Sequence, residues 1–170
     1  MIKITSILVQ ILLFLSCSQG EKVNKNEIDS FIEKYNLTDF SEFKDSFVAI
    51  RQKNRNEVTY LVQKSEGNLP VYFVTYNLYK QDITEINREL LQEMDVADYY
   101  TDSQIKHLID IFRKYDFALL HVDRNNNVFI NPNKINSPPT LLRLNVKTNE
   151  EFIKKGYVYI LYKENWYLRK

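Results

Sequence analysis

Three early segments, 47–52, 57–64 and 71–78, are built largely from β-branched and aromatic residues and are separated by polar turns at 53–56 and 65–70. Such side chains are stiff in a helix and pack well on a pleated surface, so the segments predict neighbouring strands. The third opens Val71-Tyr72-Phe73-Val74, apolar on both faces, and therefore reads as a central strand. Five further runs of the same character follow at 117–123, 127–131, 141–145, 157–162 and 166–169, the last two closing a hairpin over 163–165.

Helical periodicity fills the intervals. Ile28, Phe31, Ile32 and Tyr35 recur on one helix face, with Asn26 placed to cap it. Asp82-x-x-Glu85 has the form of a capping box, opening a helix with Ile83, Ile86, Leu90, Met94 and Ala97 on one stripe. Thr101-x-x-Gln104 is a second box, before Ile105, Leu108, Ile109, Phe112 and Tyr115. The alternation predicts an α+β fold: a single domain with a largely antiparallel sheet, an N-terminal helix and a central helix pair. Twelve Tyr, ten Phe and one Trp supply large burial per ordered residue, and Gly and Pro number only three and four. That composition excludes a disordered or collagen-like chain. The single Cys excludes an intrachain disulfide framework and Cys-based zinc sites.

The only cysteine also marks the end of the most apolar stretch. Met1-Ile2-Lys3 is a short positive start, and residues 4–15 are a mostly apolar run of twelve. As a helix this run spans roughly 18 Å, against roughly 30 Å for a bilayer's hydrocarbon core, so it reads as a signal-peptide segment rather than a membrane span. Phe14-Leu15-Ser16-Cys17 resembles the lipobox of bacterial lipoproteins, in Ser16 and Cys17 above all; Phe14 and Leu15 depart from its usual residues. The resemblance implies lipidation at Cys17 and a signal peptide at 1–16; the polar stretch that follows reads as a tether, 17–26, before a globular domain at 27–170. It implies attachment to the membrane through acyl chains, which hold stably when there are two or more. With Ser18 after the cysteine, the expected location is the cell envelope, on the outer membrane facing the periplasm. The alternative is an ordinary secretory signal cut after Ser18.

Of the 23 basic residues only Lys3 precedes residue 17, so the remaining 22 are balanced by 22 acids. A balanced chain carries no electrostatic footprint for nucleic acid. Arg51 to Arg55, Lys154-Lys155 and Arg169-Lys170 read as solvated charge at turns and the terminus.

Sites for chemistry are sparse. His107 falls on the polar face of its helix, with Ser103, Asp110 and Lys114. His121 shares a strand face with Asp123, but i and i+2 side chains stand about 7 Å apart, which favours a structural histidine. Residues 123–127 (Asp-Arg-Asn-Asn-Asn) read as a hairpin turn, because a calcium loop would need Gly and Glu where Val128 and Lys134 stand. No catalytic residues, metal ligands or cofactor motif are therefore assigned. Aromatic side chains are the candidate binding residues: Tyr99 and Tyr100, of which one should be exposed, and Tyr157, Tyr159, Trp166 and Tyr167 of the last hairpin.

The expectation is a membrane-anchored envelope lipoprotein with a non-catalytic protein-binding domain. In general build it looks like toxin-immunity proteins of bacterial competition, whose partner is a cognate toxin. A structural or assembly accessory of an envelope complex is the alternative, and a small hydrolase around His121 and Asp123 a further one.

Overall fold

A computed structural model describes residues 24–65 and 68–170; the signal segment, Cys17 and most of the expected tether lie outside the described residues. The chain divides into two units, one ending at Leu37 and the other running Thr38–Lys170. In the first, helix α1 (Lys25–Tyr35) buries Ile28, Ile32 and Tyr35, and Phe31 packs its ring on Tyr35. The cap is Asn24, not Asn26: its side chain accepts from the Asn26 N–H at 3.2 Å, which starts the helix inside the segment expected to be tether.

The second unit is dominated by ten antiparallel strands: β1 (Ser46–Lys53), β2 (Glu57–Lys64), β3 (Tyr72–Asn77), β4 (Asp82–Asn87), β5 (Leu119–Val122), β6 (Val128–Asn131), β7 (Leu141–Arg143), β8 (Glu151–Lys154), β9 (Tyr157–Lys163) and β10 (Trp166–Arg169). They form one sheet in the order β4-β3-β2-β1-β5-β6-β7-β10-β9-β8. The α-helices of this unit, among the described residues, are the short α2 (Glu89–Glu93) and α3 (Asp102–Phe112), and a single 3-10 turn spans Ser41–Phe43. The large antiparallel sheet with a few helices agrees with the pattern read from the sequence, although sheet outweighs helix.

Three details differ. The first expected capping box lies in β4, which pairs with β3 from Asn77 opposite Asp82 to Phe73 opposite Asn87. Asp-Ile-Thr-Glu-Ile alternates as well as it spirals, and β-branched Ile83, Thr84 and Ile86 favour the adjacent strand over a helix. Only five residues of the expected helix remain, as α2. Second, β3 lies one strand from the edge and alternates buried with half-buried positions. The strands buried at every position are β5 and β6, at the centre of the sheet. Third, β8 emerges from a polar stretch. Its hairpin to β9 turns at Lys155 and Gly156, whose φ values of 50° and 80° suit a two-residue turn that follows the twist of the strands.

The second capping box is present in full. Thr101 accepts from the Gln104 N–H, and the Gln104 side chain accepts from the Thr101 N–H at 2.8 Å. It opens α3, which packs on β1 and sets Phe112 edge-on to Tyr60 of β2 at 5.9 Å. Val48, Val62, Leu120 and Ile130 are fully buried. Register places them on the sheet face that carries Tyr60.

The opposite face holds the site. Adjacent registers align Gln63, Phe47, His121, Phe129, Leu142, Tyr167 and Leu161 in one row across β2, β1, β5, β6, β7, β10 and β9. Directly paired residues share a face, so these side chains line up on one surface. Beyond β6 the sheet curls, and Phe129, Leu142, Leu144, Tyr159 and Tyr167 close into a core, with Phe152 and Leu161 packed against it. The curl brings Lys154 of β8 back over β6, where its ammonium stands 4.4 Å from the centroid of the Phe129 ring.

Candidate functional site

Where the β8–β9 hairpin returns over β1, β2, β5 and β6 it leaves a cavity of about 160 Å³. Its floor is His121, 9% exposed. Phe129 stacks on the imidazole at 4.9 Å and Phe47 meets it edge-on at 6.2 Å. Ser65, just past β2, is fixed by its N–H donating to the Asp45 carbonyl at 3.0 Å. Its hydroxyl lies 2.5 Å from His121 Nε2. Burial pushes the His121 pKa down to about 4; the Lys154 and Lys155 charges push the same way, and Asp123 opposes them. The imidazole is therefore neutral at pH 7.

Asp123, 3% exposed, sits at the head of the β5–β6 turn. Its carboxylate accepts from Lys154 Nζ at 2.7 Å, from the N–H groups of Asn125 and Asn127 at 3.0 and 2.9 Å, and from Asn127 Nδ2 at 3.1 Å. Burial raises its pKa, but the Lys154 bond, the Asn127 donors and the Lys154 charge outweigh it and hold the carboxyl below its ordinary range. The pair of acid and imidazole weighed from the sequence is thus divided: His121 meets Ser65, while Asp123 holds a lysine and shapes the hairpin turn expected at 123–127. A Ser–His pair in acyl transfer relies on a third group to orient the imidazole. Here the nearby carboxylate is committed elsewhere.

The cavity walls are aromatic, with Phe47, Phe129, Tyr157 and Tyr159 among the lining side chains, and Lys154 and Lys155 supply the positive charge at His121. Lys64 borders the cavity through its place in the chain, but it pairs with Ser46 on the other sheet face and its ammonium lies over the Tyr99 ring at 5.9 Å. Among the described residues, no group of three or more His, Cys, Asp or Glu side chains is placed to hold a metal ion. His107 stands apart, exposed, with Nε2 3.0 Å from Glu42.

The aromatic candidates separate sharply. Trp166, Tyr167 and Tyr159 are at most 1% exposed; the first two serve the interior, and Tyr159 forms part of the inner wall of the cavity. The Tyr167 hydroxyl donates to the Asn149 carbonyl at 2.9 Å, and Tyr159 reaches the Pro139 carbonyl at 3.4 Å. Burial pushes the Tyr159 phenol up to about 12. Neither Tyr99 nor Tyr100 is the exposed partner expected of that pair. Both are half-buried around Tyr72, whose hydroxyl accepts from their two N–H groups at 2.9 and 3.2 Å. The bend before α3 lets two consecutive rings fan about a third, 4.8 and 6.1 Å from it. Tyr157 alone of the six is exposed, at 40%, and it stands at the cavity.

Ser65, Phe47 and the lysines were not visible as site residues. Ser65 lies in a polar turn 56 positions from His121, and Lys154-Lys155 reads as solvated turn charge. Only the curl of the sheet unites them. Compared with protein-family models, curated proteins and solved structures, the chain matches none.

Proposed function

We propose that this chain is a lipid-anchored, non-catalytic envelope protein that holds another protein along the open edge of β8. The observation that carries the reading is Ile153, 67% exposed on the last strand of the sheet. The other edge is β4, where Asp82, Thr84 and Glu85 are exposed, a polar blunting that discourages strand addition. At β8 an apolar side chain faces outward beside an open groove lined by Lys147, Glu150, Glu151 and Leu161. An extended segment pairing there gains backbone hydrogen bonds, with the side-chain groove providing selectivity. The division of Asp123 from His121 supports binding over hydrolysis. A cognate toxin met at the membrane is the partner class that best suits an anchored protein of balanced charge.

The test is photo-crosslinking in the producing cell, with the crosslinker at position 153 or, as a control, at Tyr79, exposed at 71% near the β3–β4 turn. A discrete adduct from 153 and none from 79 is expected. Ile153→Asp should lower capture by about tenfold or more, as loss of a central interface contact does. Capture from 79 alone would refute docking at β8, and a partner without toxicity would refute the toxin assignment.

A further inference from the structure

The geometry points to a second, separate site: the cavity over His121 binds a single-ring carboxylate, its ring between aromatic walls and its carboxylate on the Ser65 hydroxyl. Size comes first. At about 160 Å³ the space is close to the roughly 150 Å³ of an engineered apolar cavity that admits benzene. Phe47, Phe129 and Tyr157 offer faces and edges to such a ring.

Polarity then selects the substituent. Three lysines line the cavity. Lys154 is already matched by Asp123 at 2.7 Å, and the Lys64 ammonium lies over Tyr99 on the other sheet face, which leaves the charge of Lys155 to attract an anion. At the floor the His121–Ser65 pair can hand on a proton donor. With Nε2–H donating to Ser65 Oγ, the serine O–H is free to donate to an incoming carboxylate. The imidazole adds no buried charge in this arrangement, so the ligand's charge is met by hydroxyl and ammonium groups. Exposed Tyr157 stands where the ring enters.

The site does not depend on docking at β8, and its test does not involve a protein partner. Full-length protein in detergent is titrated calorimetrically with benzoate, its neutral amide analogue benzamide, and acetate. Histidine ring resonances are followed by NMR in the same samples. Benzoate should saturate one site, shifting the His121 resonances and leaving those of His107 in place. Loss of the charged hydrogen bond in Ser65→Ala should weaken it by about tenfold or more, and benzamide and acetate should each bind at least about tenfold more weakly. A folded Ser65→Ala protein that binds benzoate as tightly as the parent would overturn the proposal. So would equal binding of benzamide, or no shift at His121 up to about 10 mM benzoate, a concentration that would nearly saturate a site with a Kd of about 1 mM. Should Ser65→Ala not fold, the parent protein's discrimination between benzoate and benzamide decides the matter.

Discussion

A neutral imidazole stacked on Phe129 and edge-on to Phe47 takes up its proton at lower pH in the folded chain than in the unfolded one. The folded pKa of about 4 lies below the ordinary value of 6.5. Between these values the unfolded state binds more protons. The stabilisation is therefore complete above about pH 6.5 and declines as the pH falls toward about 4. The groups facing His121 are Lys154, Lys155 and Asp123, with Ser65 on Nε2. From about pH 7.5 to about pH 5 the chain should lose about 2 kcal/mol of unfolding free energy. Urea midpoints measure this, and His121→Phe, which retains a ring and lacks the titration, should flatten the decline over the same range. An unchanged midpoint in the parent would show that His121 does not govern this window. The sequence indicated a structural histidine. It did not indicate Ser65 as its partner, because strand alternation specifies which face a side chain joins and not what arrives from another loop.

Two capping-box patterns of equal appearance have opposite fates, and the contrast belongs to the elements that contain them. At Thr101 the box is followed by residues buried at helical spacing, so local and tertiary preferences agree. Thr101→Ala should cost about 1 kcal/mol by thermal or chemical denaturation, the usual loss for an N-cap. At Asp82 the same pattern sits one tight turn after β3, where antiparallel pairing is immediately available. Asp82→Ala should leave stability nearly unchanged, since the side chain caps no helix and its ion pair with Lys106 is exposed. A large loss from that substitution would mean that Asp82 does more than the strand assignment implies. The missed β8 has the complementary cause. Only Phe152 and Ile153 are apolar among its four residues, too few to signal a strand, and β9 supplies the pairing that makes one.

For the second unit as a whole, the curled sheet closes over its own centre through the core of Phe129, Leu142, Leu144, Tyr159 and Tyr167, and the contact between Asp123 and Lys154, 31 positions apart, ties β8 to the β5–β6 turn. Removing the acid strands a partly buried ammonium and unpairs the donors of the β5–β6 turn. Asp123→Ala should therefore cost about 3 kcal/mol, while the paired replacement Asp123→Asn with Lys154→Met, which strands no charge and keeps the turn acceptor and the stem over Phe129, should cost about 1 kcal/mol or less. Fluorescence of Trp166, fully buried and the sole tryptophan, reports both transitions in urea. Equal losses from the two variants would mean that the stranded charge is not what makes the acid substitution costly. By itself the sequence determined what depends on neighbours along the chain: which segments prefer extended backbone, where α3 begins, and the turn at 123–127. Tertiary structure alone decided that β5 and β6 are central, that Trp166 and Tyr167 lie inside, and that Ser65, His121 and Lys154 surround one cavity. Those outcomes depend on register and twist accumulated across ten strands, and side-chain periodicity carries no record of which strand will lie beside which.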